Sequence, residues 1–367
     1  MKRVVIAPDS FKGTLSSTEV CTIVSTELKK KYPDLEAISI PVADGGEGTV
    51  EALLTAIGGE KIYCTVKSPL GKDISAYYGI LPDGTAVIET AQASGITIEK
   101  ENNALKSSTY GTGQLILDAL NKNVTSILIG IGGSATTDGG TGALAALGAV
   151  FTDKNGNILH PCGESLSLIE NADISHLDKR LSTTDITVLC DVVNPLYGKN
   201  GAAYVFSPQK GATQKEVQLL DEGLRHLAAI SQDILGKDYS NTEGAGAAGG
   251  LGFALIAFLG ARLRKGIEYI LEKTAFSEKA KAADLIITGE GKLDRQSLMG
   301  KVPFCVAQKS EGKKVIAIVG VSEVSADEAK EKGISLIIET NPLHLPFEEI
   351  KNNARQMLIA ATENIII

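Results

Sequence analysis

Five stretches of this 367-residue chain set glycine beside acids, hydroxyls or a lysine. They are Pro8-Asp9-Ser10-Phe11-Lys12-Gly13-Thr14, Ala43-Asp44-Gly45-Gly46-Glu47-Gly48-Thr49, Gly130-Ile131-Gly132-Gly133-Ser134-Ala135-Thr136-Thr137-Asp138-Gly139-Gly140, Asp191-Val192-Val193-Asn194-Pro195, and Thr288-Gly289-Glu290-Gly291-Lys292-Leu293-Asp294-Arg295-Gln296-Ser297. Glycine lets backbone amides close around an anion. Carboxylates beside such amides suit Mg²⁺, which takes one or two of them together with phosphate oxygens. These are the parts of a phosphoryl-transfer site. One such loop alone says little, because an acid next to glycine is commonly a helix cap or an Asx turn. Asp9, beside Pro8, reads that way more readily than Asp44, and Glu47 reads as a first-turn helix residue. Recurrence at several strand ends is what points to function.

Loops of this kind need strands to deliver them. Apolar, β-branched runs at Arg3–Ala7, Glu36–Ile40, Ile62–Val66, Ile74–Leu81, Ala86–Glu89, Ser126–Ile131, Ile186–Cys190, Asp284–Thr288, Val315–Val319 and Ser335–Ile338 predict strands. Capping boxes at Ser16/Glu19, Thr213/Glu216 and Ser325/Glu328 predict helix starts. Val20, Val24 and Leu28 then follow at helical spacing, as do Val217, Leu220, Leu224 and Leu227. The alternation predicts an α/β protein with parallel sheet. Both ends of the chain read as strand, loop, helix, strand, whereas Pro82-Asp83-Gly84 joins two strands as a hairpin. The expectation is two α/β domains. One is Rossmann-like, with a parallel sheet, built discontinuously from residues 1–66 and 280–367. The other is a mixed-sheet domain inserted at 67–279. Ligands of open α/β sheets bind at the carboxyl ends of strands, so these loops can meet in one cleft.

Composition narrows the classes. Hydrophobic residues at 43% and charged residues at 22% describe a folded chain with a core. Glycine, 39 residues, exceeds its usual share without any repeat, so it belongs to ordered loops. A net charge of −8 and the absence of tryptophan argue against nucleic acid as a partner. The apolar run Val4-Val5-Ile6-Ala7 is too short for a signal segment, and the stretch around Leu251 to Leu263 is too short and too glycine-broken to span a bilayer. Five cysteines without clip spacing fit a reducing, cytoplasmic setting. The four histidines are scattered and read as structural, His160 least securely.

Two literal matches to the dinucleotide fingerprint compete with the phosphoryl-transfer reading. Gly130–Ala135 follows a strand, and Asp153 falls about 20 residues on, as a ribose-binding acid would. Against it, Thr136 to Gly140 prolong the loop where a helix should run, and Asp138 would face the pyrophosphate. Gly244–Gly249 follows no strand. No standard P-loop and no nucleophile-elbow serine occurs. The alternatives are therefore an NAD-dependent hydroxy-acid oxidoreductase and a non-catalytic metabolite-binding module.

Taken in order, A-P-D-S-F-K-G at 7–13, A-D-G-G-E-G-T at 43–49, G-G-S-A-T-T-D-G-G at 132–140, C-D-V-x-N-P-L at 190–196 and T-G-E-G-x-L-D-x-Q-S at 288–297 resemble the glycerate kinase type 1 family over the full length. The resemblance implies transfer of the ATP γ-phosphoryl group to D-glycerate with Mg²⁺, giving 2-phosphoglycerate, in a cleft between two α/β domains. On that reading Lys12 clamps the substrate carboxylate or the transferring group, and Asp294 is the candidate base. Arg295 reaches carboxylate or phosphate. Asp44 and Asp191 hold Mg²⁺ or position the substrate, two roles the residues alone leave open. Ser10, Ser134, Thr136 and Thr137 contact substrate oxygens. Gly45, Gly46, Gly132, Gly133, Gly289, Glu290 and Gly291 line the nucleotide. The 2- or 3-hydroxyl as acceptor and the oligomeric state also stay open.

Overall fold

Uninterrupted apolar runs such as Val4-Val5-Ile6 and Leu285-Ile286-Ile287 demand strands covered on both faces, and these two runs lie side by side in the structure. The computed structural model describes residues 2–295 and 297–367. Its strands are β1 (Arg3–Pro8), β2 (Glu36–Ser39), β3 (Glu60–Lys67), β4 (Asp73–Ile80), β5 (Thr85–Glu89), β6 (Ser126–Gly130), β7 (Val150–Thr152), β8 (Asn171–Asp173), β9 (Asp185–Leu189), β10 (Arg262–Arg264), β11 (Leu285–Leu293), β12 (Val315–Ser322) and β13 (Leu336–Glu339).

Two compact units divide the chain. The first holds Met1–Asp44, Glu51–Gly58 and Gly266–Ile367; the second holds Gly45–Val50 and Gly59–Lys265. The boundaries expected after residues 66 and 279 fall elsewhere, for local reasons. β3 pairs antiparallel with β4 from Glu60↔Ile80 to Lys67↔Asp73, which draws it into the second unit. Val50 donates its amide to the Glu89 carboxylate at 2.6 Å, which ties 45–50 to the same unit. The helix Gly266–Lys273 buries Ile267, Ile270 and Leu271 and packs on the helix Val302–Gln308, within the first unit.

The first unit carries a sheet of order β13-β12-β11-β1-β2, parallel at every pairing. The helix Ser17–Lys31 begins at the expected Ser16/Glu19 capping box, and its buried Val20, Val24 and Leu28 face the sheet together with Ala354, Leu358 and Ala361 of the helix Phe347–Glu363. Truncating one such leucine to alanine costs about 2–5 kcal/mol. Because β2, β1 and β11 are adjacent and parallel, the loops after them leave from one edge.

The second unit carries a mixed sheet, β10-β9-β6-β5-β4-β3. β10, β9, β6 and β5 are parallel, β4 pairs antiparallel with β5, and β3 pairs antiparallel with β4. The turn at 82–84 forms as expected, with Gly84 at φ +82° and Asp83 accepting from the Thr85 amide. The long helix Gln214–Leu235 starts at the Thr213/Glu216 capping box and buries Val217, Leu220, Leu224 and Leu227. The α/β expectation, with one parallel and one mixed sheet, describes the protein. The ribbon of β7 and β8 was not foreseen, since three-residue strands are too short to show a period of two. Among the described residues no helix is long and apolar enough to cross a membrane.

Candidate active site

In the first unit the loops after β1 and β2, the end of β11 and the segment that follows it bring four acids and two lysines into mutual electrostatic reach. Asp9 leaves β1 with its amide on the Gly289 carbonyl at 2.8 Å, and its buried carboxylate accepts from the Ser10 amide. Burial, then the charge of Asp44, push the Asp9 carboxyl up to about 6, against the pull of Lys12. Lys12 sits at the tip of a tight turn closed by Phe11 and Leu15, and its Nζ lies 3.1 Å from Asp44 Oδ2. Asp44, then Asp9 and Glu290, hold its ammonium more firmly protonated than an ordinary lysine, while burial works the other way. Gly13 completes this turn at φ +81°, where a Cβ would come within 2.8 Å of the Phe347 ring.

β11 supplies the rest. Gly289 approaches Ile318 so closely that a Cβ would stand 2.1 Å from its carbonyl oxygen. Glu290 follows, 6% exposed, its Oε1 buried without a hydrogen-bond partner. Desolvation raises its carboxyl to about 7, with the Ser297 hydroxyl and Lys301 pulling down and Asp9 and Asp294 pushing up. Asp294 Oδ1 accepts from the Ser297 amide at 3.0 Å and lies 3.6 Å from Lys301 Nζ. Arg295 is exposed and feels Glu328. Gln296 of this motif lies outside the described residues.

In the second unit two glycine loops pack backbone against backbone. Gly132 donates to the Gly45 carbonyl at 3.3 Å, and Cβ atoms added at Gly130 or Gly132 would stand 2.4 Å from Gly45 O and 2.8 Å from Gly46 Cα. Gly133 is exposed, while Ser134, Thr136 and Thr137 are buried. Thr137 Oγ1 pairs with Ser207 Oγ at 2.9 Å, and Thr136 Oγ1 is buried without a partner. These two hydroxyls, expected to touch substrate, thus face the interior of the unit. Asp138 is fully buried and does not face a ligand: it accepts from Thr109 N, Thr109 Oγ1, Gly140 N and Gly142 N, and ties the loop to the start of the helix Thr141–Ala146. The Gly244–Gly249 run supports this loop, with Gly249 accepting from the Gly139 amide. Asp191 is exposed beyond β9.

The first unit therefore carries Ser10, Lys12, Asp44, Asp294 and Arg295 on its loops and Gly289, Glu290 and Gly291 within β11, which runs on past the expected end at Thr288 because it stays paired with β12, and the second carries Gly45, Gly46, Gly132, Gly133, Ser134, Thr136, Thr137 and Asp191. Asp44 and Asp191, the two expected metal ligands, belong to different units. Among the described residues no three His, Cys, Asp or Glu side chains converge as a ready-made metal site. Sequence reasoning discounted Asp9 and passed over Lys210 and Lys301. Lys210, in Ser207-Pro208-Gln209-Lys210-Gly211, carries every mark of an exposed turn and is nevertheless 2% exposed.

The oxidoreductase alternative fails on Asp153. Its carboxylate is spent on its own turn, accepting from Asn155 N, Asn157 N and Asn157 Nδ2, and the helix that should open at the fingerprint starts only at Thr141.

Comparison with known proteins points the other way. The sequence model of the glycerate kinase family matches residues 4–367. The chain is 43% identical to a glycerate 2-kinase of Escherichia coli, over 99% of this chain and 97% of that one. It is 42% identical to a glycerate kinase of Halalkalibacterium halodurans, over 100% and 98% respectively. The crystal structure of a Salmonella typhimurium protein assigned to glycerate kinase 2 superposes with a TM-score of 0.86 at 42% identity, covering 99% of this chain and 96% of that one. With the acid-and-lysine loops at its strand ends and this match from end to end, the chain belongs to the glycerate kinase family.

Proposed function

We propose that this chain transfers the γ-phosphoryl group of ATP to the 2-hydroxyl of D-glycerate, releasing ADP and 2-phosphoglycerate. The observation that carries the reading is the full-length family match, and 43% identity to a glycerate 2-kinase supports the 2-hydroxyl as acceptor. The substrate oxygen attacks the γ-phosphorus, the bond to the β-bridging oxygen breaks, and the hydroxyl proton passes to a carboxylate. Asp294 takes that proton. The Ser297 amide orients its carboxylate, and Lys301 Nζ lies 3.6 Å away. Lys12 and Arg295 meet the negative charge of carboxylate and phosphoryl group, and the side-chain-free backbone at Gly45, Gly46, Gly132 and Gly133, and at Gly289 and Gly291 of β11, lets the nucleotide phosphates approach closely. Ser10 and Ser134 contact substrate oxygens.

Magnesium fits the donors present. Asp9 and Asp44, paired beside Lys12, suit an ion that takes one or two carboxylates together with phosphate oxygens. Asp44, beside Asp9 and Lys12, would hold it, and when bound it would neutralise charge on the phosphates. A cytoplasmic location accords with ATP as cosubstrate.

Purified protein given Mg·ATP and D-glycerate should release ADP, and phosphorus NMR should show 2-phosphoglycerate. Turnover giving the 3-phosphate would overturn the regiochemistry, and no turnover with glycerate would overturn the function.

A further inference from the structure

Behind the Ser134–Thr137 stretch of the second unit's glycine loop, one short turn supplies two side chains that hydrogen-bond to it. Ser207 pairs with Thr137, and Lys210, three residues on, sends its Nζ to Ser134 Oγ at 3.0 Å and to the Thr136 carbonyl at 2.6 Å. Gly211 closes the turn at φ +88°. An ammonium has donors and no acceptor, so Ser134 Oγ must accept from it. The Ser134 hydroxyl hydrogen is then turned away from Lys210 and is available to an oxyanion, as a charge-assisted donor. Ser134 retains slight exposure at 7%, whereas Lys210 at 2% does not meet a ligand itself.

We infer that Lys210 is a positioning residue that fixes Ser134 as an obligate hydrogen-bond donor to a bound oxyanion, the carboxylate of glycerate or a phosphate of the nucleotide. The inference rests on the proposed function for the identity of those two ligands, and on the hydrogen bonds above for the donor itself.

Lys210 also gives this donor a pH dependence. Burial draws its ammonium down to about 7, and the one charged group acting against that shift is Asp138. Burial raises the Asp138 carboxyl above its ordinary value against the four donors that hold it, and the Cys162 thiol beyond it is kept neutral by burial. Once Lys210 loses its proton, the amine can accept from Ser134, and the hydroxyl hydrogen turns inward. Oxyanion affinity should therefore fall as pH rises through about 7, and a bound oxyanion should raise the Lys210 pKa in turn.

Calorimetric binding of ADP and of D-glycerate, each alone and from about pH 6 to about pH 9, tests this without turnover. The affinity of the parent for one of the two should weaken by up to about tenfold per pH unit above neutrality. Ser134→Ala should bind that ligand more weakly at about pH 6 and lose the slope due to Lys210, while any titration of the ligand itself persists in both proteins. Lys210→Met should lose the same slope, and Ser134→Ala keeps the test open if that variant does not fold. The responding ligand tells carboxylate from phosphate. Equal slopes in parent and Ser134→Ala, or no binding of either ligand, overturn the inference. Slopes as expected in a protein that does not phosphorylate glycerate would overturn the function and leave Lys210 in this role.

Discussion

Lys12 Nζ stands 3.1 Å from Asp44 Oδ2, and both side chains are largely open, 74% and 43% exposed. The pairing is set by the sheet. β1 and β2 lie side by side, with Ile6 opposite Ser39, so the loops that follow must leave together.

An ion pair this exposed is worth at most about 1 kcal/mol. Lys12→Met should therefore leave the unfolding midpoint nearly unchanged. If Lys12 meets the transferring group, the same variant should lower kcat by about 10²–10³. Urea unfolding and steady-state kinetics on one preparation separate the two effects. A kcat within twofold of the parent would remove Lys12 from the chemistry.

Asp294→Asn keeps the acceptor that caps Ser297 and removes the basicity. It should reduce kcat by about 10²–10⁴ with the fold intact. Near-normal turnover in that variant would mean that another acid takes the proton.

Glu290 gives a stability test with a defined sign. Its carboxyl lies at about 7 in the folded chain against an ordinary 4.5, so the folded state holds the extra proton. Its favourable contribution is complete below about pH 4.5 and is lost as pH rises through about 7. Glu290→Gln, which cannot ionise, should gain on the parent across that window by on the order of 3 kcal/mol. Urea midpoints at about pH 5 and about pH 8 read the difference. A gap that does not change with pH would show that burial does not hold this proton.

Gly130→Ala places a methyl group 2.4 Å from the Gly45 carbonyl oxygen, a backbone atom with no rotamer to escape into. The variant should lose about 1–3 kcal/mol and displace the Gly45-Gly46 loop. Raised KM for ATP with a lower urea midpoint is the expected pair of results.

The strands and capped helices were legible in the sequence because their signals are local. Burial on both faces marks Val4–Ile6, and Ser16, Thr213 and Ser325 each build the capping box their spacing predicts. The acid-bearing loops were legible for the same reason. Lys210 was not, because nothing in Ser-Pro-Gln-Lys-Gly distinguishes a lysine turned into a core from one in water. Thr137 shows the same limit: a hydroxyl in a glycine loop reads as a ligand donor, and the Ser207 it pairs with lies 70 residues away. The unit boundaries depended on β3 choosing β4, a pairing that strand propensity does not reveal.

The position of β1 has a consequence for synthesis on the ribosome. It is the second strand from one edge of its sheet, between β2, which follows within about 30 residues, and β11, whose first residue is Leu285. Until that segment emerges, the Val4–Pro8 edge has no partner, whereas every strand of the mixed sheet has already been made. An unpaired apolar edge is a template for wrong pairing. Nascent chains halted before residue 285 should therefore be the aggregation-prone form of this protein, and a chaperone that covers an extended N-terminal strand is the protection its order of synthesis calls for.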